Sequence, residues 1–237
     1  MINDLSVIIL CYRSGIYAEK YLAMALEALK KNDVSHYEII LVANYVEGTA
    51  DSTPEIVRKL ANKYPRVSFL AEKKEGWLGW DVRKGFEIAR GNYVALIDGD
   101  GQMPADDIPR AYKEIKDSEF DLVLTYRVKR GDGLYRKLLS TFYNLTVKIL
   151  FPSVRSKDIN SKPKVIKKCL LESMNLESNG WTIDAEIMLQ SYKRRAKIKE
   201  IPTKFLGLEG NRNSFVGLKA ILEFLCFLIK QRIKGVS

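Results

Sequence analysis

Strand-length apolar runs alternate with segments of helical period through the first half of this chain, and that alternation constrains the fold more than any other feature. Leu5 to Cys11 is one such run, and Ala18 to Leu29 after it places apolar residues at helical spacing with Glu and Lys between them. Glu38 to Ala43 repeats the strand pattern. Pro54 to Tyr64 repeats the helical one, with Ser52 or Thr53 available as a cap and Pro54 suited to the first turn. Val67 to Ala71 reads as a third strand, Gly79 to Ala89 as a helix stopped at Arg90-Gly91-Asn92, and Tyr93 to Ile97 as a fourth strand. A further helix starts near Pro104, with Asp106 and Asp107 at its positive end, and Asp121 to Tyr126 is another strand. Strands joined through helices pair in parallel, so the expectation is an α/β domain whose mostly parallel sheet is covered by helices on both faces. Ligands of such sheets sit beyond the carboxyl ends of the strands, in this chain the loops after Cys11, Ala43, Ala71 and Ile97.

Beyond Arg127 the alternation fades. Basic amphipathic helices are expected at Leu134 to Leu150 and Pro163 to Leu171, then a helix near Trp181 to Tyr192 and a strand near Lys197 to Leu206. The 237 residues suffice for one well-buried domain with a small appendage. Thirty-nine Lys and Arg against twenty-nine Asp and Glu give a net charge of +10, which favours nucleotides, phospholipid headgroups or nucleic acid as partners. Cys11, Cys169 and Cys226 show no metal-ligand spacing and are expected as core residues in a reducing compartment. The apolar run Val7 to Tyr12 has little basic before it and does not read as a signal peptide, which places the catalytic part in the cytoplasm. No apolar run approaches the roughly twenty residues needed to cross a bilayer.

The sharpest chemical signal is Ile97-Asp98-Gly99-Asp100-Gly101-Gln102, two carboxylates one residue apart at the end of a buried strand. Successive strand side chains point opposite ways, so a turn at Gly99 and Gly101 is required for both carboxylates to face one ion. Oxygen ligands of this kind suit Mg2+ or Mn2+, with positions left for substrate phosphates. The competing reading is a polar turn with solvated acids, since Asp-Gly pairs are common in turns.

The surrounding residues, read in order, bear on the choice. Gly91-Asn92-Tyr93-Val94-Ala95-Leu96-Ile97-Asp98-Gly99-Asp100-Gly101-Gln102-Met103-Pro104 resembles the Gly-x-Tyr-Val strand ending in Asp-x-Asp-x-Gln and Pro of family 2 glycosyltransferases with the A-type fold, above all the polyprenyl (dolichyl) phosphate sugar synthases. Arg83-Lys84-Gly85 is similar to the family's upstream Arg-x-Gly, Thr125-Tyr126-Arg127 to its Ser-Arg-Tyr region, and Asp158-Ile159-Asn160-Ser161 to its Asp-x-x-Ser segment. Asp184-Ala185-Glu186, Glu200-Ile201-Pro202 and Arg212-Asn213-Ser214 are similar to the later motifs, so the likeness covers nearly the whole chain. Two departures stand out. After the first strand the family's Pro-x-Tyr-Asn-Glu is replaced by Leu10-Cys11-Tyr12-Arg13-Ser14, and after the second its acid pair is missing from Ala43-Asn44-Tyr45-Val46-Glu47-Gly48-Thr49-Ala50-Asp51-Ser52-Thr53.

The resemblance implies an A-type fold with a helical acceptor-side extension: a catalytic unit over residues 1–212, its nucleotide-sugar half 1–126 and its acceptor half 127–212, followed by an amphipathic helix over 213–237. It implies that Asp98 and Asp100, assisted by Gln102, hold Mg2+ or Mn2+ on the diphosphate of a nucleoside diphosphate sugar. Tyr12, Asn44, Asp51 and Arg83 fall to the donor, with Glu47 beside them, and Arg127, Arg130, Arg136 and Arg212 to an anionic acceptor such as a polyprenyl or dolichyl phosphate. Asp158 is the candidate base should the acceptor be an alcohol, and its alternative is a cap or an arginine partner. The donor is GDP-mannose or UDP-glucose, and displacement inverts the anomeric carbon. A sugar hydroxyl as acceptor is the nearest alternative.

More distant readings fit less well. An aspartyl-phosphate hydrolase wants its Asp-x-Asp on an early strand, and a nicotinamide dehydrogenase wants Gly-x-Gly-x-x-Gly where Cys11 to Tyr17 offers only Gly15. A non-catalytic lipid or nucleic-acid binder explains the charge but not the acid pair, and no nucleic-acid partner is expected. His36, the only histidine, is expected on a surface loop, and Trp77 and Trp80 as packed cover. The stretch Phe215 to Lys234 gathers Leu218, Ile221, Leu222, Leu225, Leu228 and Ile229 on one helical face with Lys219, Lys230, Arg232 and Lys234 at its ends, which suits a peripheral helix at an anionic membrane surface. The same face would also suit packing on the core or against a second copy of the chain.

Overall fold

A computed structural model describes residues 4–130, 134–206 and 218–233. The interior strand β1 (Leu5–Leu10), every residue buried, pairs in parallel with β2 (Tyr37–Val42) on one side and β4 (Tyr93–Asp98) on the other. β3 (Val67–Leu70) extends the β2 side in parallel. Beyond β4 come β6 (Lys164–Lys167), β5 (Leu122–Arg130) and β7 (Ile198–Phe205), giving one seven-stranded sheet in the order β3-β2-β1-β4-β6-β5-β7. β6 pairs antiparallel with both of its neighbours while β5 and β7 pair in parallel, so β6 alone runs against the rest.

Helices cover both faces, as the alternation requires. Val7 and Ile9 of β1 point into a core shared with α1 (Tyr17–Lys31), α2 (Thr53–Lys63) and α4 (Asp107–Ile115), through Tyr21, Leu22, Val57 and Ile108. Ile8 and Leu10 point the other way, to α3 (Leu78–Ile88), α5 (Leu134–Leu150), α7 (Ile183–Lys193) and α8 (Leu218–Ile233), through Val82, Val147, Ile187 and Phe224. The α/β architecture with its mostly parallel sheet is therefore as expected.

One element differs in kind. Pro163 to Leu171, expected as a helix, is β6 followed by the short α6 (Lys168–Ser173). β-branched Val165 and Ile166 are fully buried on opposite faces of the sheet, and four residues wedged between β4 and β5 leave no room for a helix. Two smaller corrections follow from local chemistry. α2 is capped by neither Ser52 nor Thr53: the Asp51 carboxylate accepts from the Thr53 amide at 3.0 Å and its hydroxyl at 2.5 Å. Of the three cysteines only Cys11 is buried, its thiol pushed up to about 12 by burial, whereas Cys169 and Cys226 are exposed.

α8 has two apolar faces. Phe224 and Leu228 are buried against the core, with Phe224 stacked on Tyr143 of α5, while Leu222, Ile229 and Ile233 on the opposite face are exposed. α5 repeats the arrangement, with Val147 buried and Phe142, Leu145 and Ile149 exposed. Among the described residues no helix is long and apolar enough to cross a membrane.

Candidate active site

β4 ends at Asp98, and the next residues turn sharply. The Gly99 amide donates to the Leu10 carbonyl at 2.9 Å, the Gln102 amide to Asp100 Oδ1 at 2.9 Å, the Tyr21 hydroxyl to the Met103 carbonyl at 3.0 Å, and the Leu206 amide to the Gln102 carbonyl at 2.9 Å. The turn is thus clamped from β1, α1 and the end of β7. Glycine is required at both bends: a Cβ on Gly99 would lie 2.8 Å from Ile9 Cγ2, and one on Gly101, at φ +78°, would lie 2.1 Å from the Tyr17 hydroxyl. Gly101→Ala is expected to destabilise the fold by more than the roughly 1–2 kcal/mol of a left-handed backbone. Gly48→Ala isolates that backbone cost, since Gly48 also has φ +78° but nothing within 4 Å of an added Cβ. Urea midpoints compare the two, and equal losses would mean that Tyr17 does not grip the turn.

The turn brings Asp98, Asp100 and Gln102 to one cavity of about 320 Å³. Burial, and then the neighbouring Asp98 charge, raise the Asp100 carboxyl from 3.8 to about 6. Two carboxylates lining one cavity make a fitting pair of oxygen ligands for Mg2+ or Mn2+, with donor phosphates and water to complete the shell. The described residues hold no group of three or more His, Cys, Asp or Glu side chains disposed to bind a metal, so the protein's share would be this pair with Gln102 in the same cavity.

Arg127 enters the same cavity from β5. Its guanidinium grips Asp158 in bidentate fashion, Nε to Oδ2 at 2.6 Å and Nη2 to Oδ1 at 2.7 Å, and lies over the Phe205 ring. The Asp158 segment is tied down in turn by Glu200 of β7, which accepts from Ser156 Oγ at 2.7 Å and the Lys157 amide at 2.8 Å.

Sequence reading missed a set of buried charges behind the acid pair. Lys162 Nζ lies 3.2 Å from Asp98 Oδ2 and 3.0 Å from Asp184 Oδ2, and Lys164 Nζ lies 2.5 Å from Asp184 Oδ1. Burial works against the Lys162 ammonium, but Asp184 and Asp98 outweigh it and hold its pKa above the ordinary lysine range. Lys164 is held below that range, chiefly by burial. Burial would raise Asp184, but the two lysines hold it below the usual carboxylate range. The only sequence signal was two lysines flanking Pro163 beside the Asp-x-x-Ser segment, and lysine is almost never fully buried unless paired.

The remaining donor candidates lie apart from the acidic cavity. Asn44, fully buried after β2, donates from Nδ2 to Asp81 Oδ1 at 3.0 Å and accepts the Glu72 amide at 2.8 Å. Asp81 also takes an ion pair from Lys74, whose ammonium lies over the Tyr12 ring, and burial raises its pKa despite these partners. Arg83 lines a separate cavity with Phe86 and Lys168, its Nη1 held by Asn179 Oδ1 at 2.6 Å. Arg212 lies outside the described residues, as do the side chains of Arg130 and Arg136. Trp80 is buried cover, whereas Trp77 is half exposed and stacks on Trp181 at the cavity wall. His36 is exposed.

A doubly covered α/β sheet with an acid pair beyond one strand's carboxyl end defines a nucleotide-binding enzyme fold. Residues 6–171 match the model of glycosyl transferase family 2, and the chain belongs to that family. It is 30% identical over 196 residues to a dolichol-phosphate mannosyltransferase of Pyrococcus furiosus, covering 80% of this chain and 53% of that protein, so it spans about half of that relative's length. It is 24% identical over 231 residues to a dolichyl-phosphate beta-glucosyltransferase of Saccharomyces cerevisiae, covering 88% and 68%. The fold is similar to that of glucosyl-3-phosphoglycerate synthase from Mycobacterium tuberculosis in complex with Mn2+, UDP-glucose and phosphoglyceric acid, with a TM-score of 0.67 at 17% identity over 99% of this chain and 79% of that one.

Proposed function

We propose that this glycosyltransferase moves a hexose from GDP-mannose or UDP-glucose to the phosphate of a polyprenyl or dolichyl lipid at a membrane surface, with inversion at the anomeric carbon. The observation that carries the reading is the mixed lining of the cavity. Asp98, Asp100, Arg127 and Lys162 give it charge, while Phe142 of α5, Ile221 and Phe224 of α8, and Trp181 give it apolar surface. An acceptor with an anionic head and an apolar tail matches both kinds of lining. The names of the Pyrococcus and Saccharomyces relatives support the same acceptor class.

Bound to Asp98 and Asp100, Mg2+ or Mn2+ would supply positive charge opposite the departing nucleoside diphosphate. Arg127, fixed by Asp158 and Phe205, orients the acceptor phosphate, with Arg130 at the end of β5, Arg136 in α5, and Arg212 as further candidates for the same anion. A phosphate oxygen forms the new bond to the anomeric carbon as the bond to the diphosphate breaks and its electron pair leaves with the nucleotide. A phosphate monoester is already anionic near neutral pH, so the step needs no strong base, in keeping with an Asp158 carboxylate occupied by Arg127. On the donor side, the Tyr12, Asn44, Lys74 and Asp81 cluster stands where the family's acid pair is missing, and Asn44 and Asp51 shape that wall through hydrogen bonds within the protein. The exposed stripes Phe142, Leu145 and Ile149 on α5 and Leu222, Ile229 and Ile233 on α8 support peripheral contact with a bilayer, from which the lipid would be drawn.

Both nucleotide sugars, assayed against short polyprenyl phosphates with Mn2+ or with EDTA, test the reading. Metal-dependent transfer to the lipid phosphate from one of the donors is expected. Transfer only to a sugar or glycerate hydroxyl would overturn the lipid acceptor and leave the family assignment standing.

A further inference from the structure

A cation beside the acid pair belongs to the chain itself. Lys162 shares its ammonium between Asp98 and Asp184, and only 3% of its side chain is exposed. It cannot readily swing away. The Lys162 carbonyl accepts from Thr125 Oγ1 at 2.7 Å, the neighbouring Ser161 hydroxyl meets the same Oγ1 at 2.7 Å, and the Pro163 carbonyl accepts the Thr125 amide at 3.2 Å. These bonds fasten the segment to β5.

Charge balance shows why the position matters. Asp184 is shared by two buried ammonium groups, Lys162 and Lys164, and one carboxylate offsets only one of them. Asp98 offsets the other, and among the described residues Asp100 has no ion pair of its own. A divalent ion approaching Asp98 and Asp100 therefore meets an ammonium already bonded to one of its two ligands. Lys162 is almost wholly buried while 34% of the Asp98 side chain is exposed, so water screens the repulsion only in part.

We propose that Lys162 is a positioning residue that holds Asp98 as a built-in counter-cation and competes with the divalent ion for that carboxylate, so that the metal binds weakly until a donor diphosphate adds its own negative oxygens. The proposal rests on the reading that Asp98 and Asp100 hold the ion. Metal and nucleotide then bind as a unit, each strengthening the other by the same factor.

Titrating Mn2+ into the full chain, alone and with GDP or UDP, and following water-proton relaxation tests this without any assay of transfer. Wild type should bind Mn2+ alone weakly and, with one of the two nucleotides, about tenfold or more tighter. Lys162→Gln keeps a hydrogen-bond donor but removes the charge. It should bind Mn2+ alone about tenfold tighter than wild type and gain less from nucleotide, while Lys162→Arg should stay near wild type. A folded Lys162→Gln protein with unchanged or weaker affinity for Mn2+ alone would overturn the proposal, because a merely structural lysine can only loosen the site when removed. Should that variant fail to fold, wild type decides: equal Mn2+ affinity with and without nucleotide overturns the proposal. Wild type that binds no Mn2+ in either condition overturns the metal reading itself, and the counter-cation role with it.

Discussion

Asp100→Asn is expected to abolish sugar transfer and, in the absence of divalent ions, to make the protein more stable above pH 6. The two effects have one origin. The folded protein raises the Asp100 carboxyl from 3.8 to about 6, mainly by burial and then by the Asp98 charge, so it binds that proton more tightly than the unfolded chain does. The stability linked to protonation is complete below pH 4 and is lost as pH rises through about 6, at a cost on the order of 3 kcal/mol once the group is ionised. Asparagine has no charge to desolvate. Melting curves in EDTA should therefore show variant and wild type alike near pH 4 and the variant higher by several degrees at pH 8. In the same variant kcat/KM should fall by roughly a thousandfold or more, as expected when charge stabilisation in a transition state is removed. Transfer near the wild-type rate would remove Asp100 from the metal site, and a variant no more stable at pH 8 would mean that the cavity solvates the ionised carboxylate.

The largest loss of stability is expected at Asp184, a residue whose quoted motif gave no hint of its partners. Asp184→Ala leaves Lys162 and Lys164 buried, the first with partly exposed Asp98 and the second with the Ser161 carbonyl. Removing one partner of a buried ion pair costs about 3–5 kcal/mol, and here the lost carboxylate served two ammonium groups. For a chain of this size that corresponds to a fall in melting temperature of roughly 10 °C or more. Asp184→Asn retains an acceptor for each lysine and should lose distinctly less. A change of less than about 1 kcal/mol in the alanine variant, read from urea unfolding, would show that water already reaches these lysines.

The parts of the fold that were legible in the sequence are those whose burial is two-sided. β1, β2 and β4 lie between helices on both faces, so their apolar runs could be read directly. β6 hid because lysines bracket its two apolar residues and the signature of a helix start, a proline before a basic amphipathic stretch, is also that of a short strand entered from a turn. The acid pair was legible since its spacing carries the chemistry locally. Lys162 was not, because its partners Asp98 and Asp184 lie 64 and 22 residues away and nothing in a lysine codon's neighbourhood announces that the side chain will be buried. Asn44 was legible only as a polar residue at a strand end; that both ends of its amide bond Asp81 and the Glu72 backbone depends on segments distant in the chain.

The reversed strand β6 sets the order in which a newly synthesised chain can become competent. When the first five strands have left the ribosome, the acid pair has been made, but the flank of β4 from Tyr93 to Leu96 still lacks the neighbour that closes it, and the lysine that partners Asp98 has not been added. Residues 162–167 supply both, their strand lying between β4 and β5, and α7, made later still, brings Asp184. An open strand flank is an invitation to pair with another chain, so nascent molecules stalled before this point are exposed to association. Strands β1 to β4 are consequently no transplantable cassette: grafted elsewhere without β6, they would carry an unfinished sheet and an acid pair without Lys162.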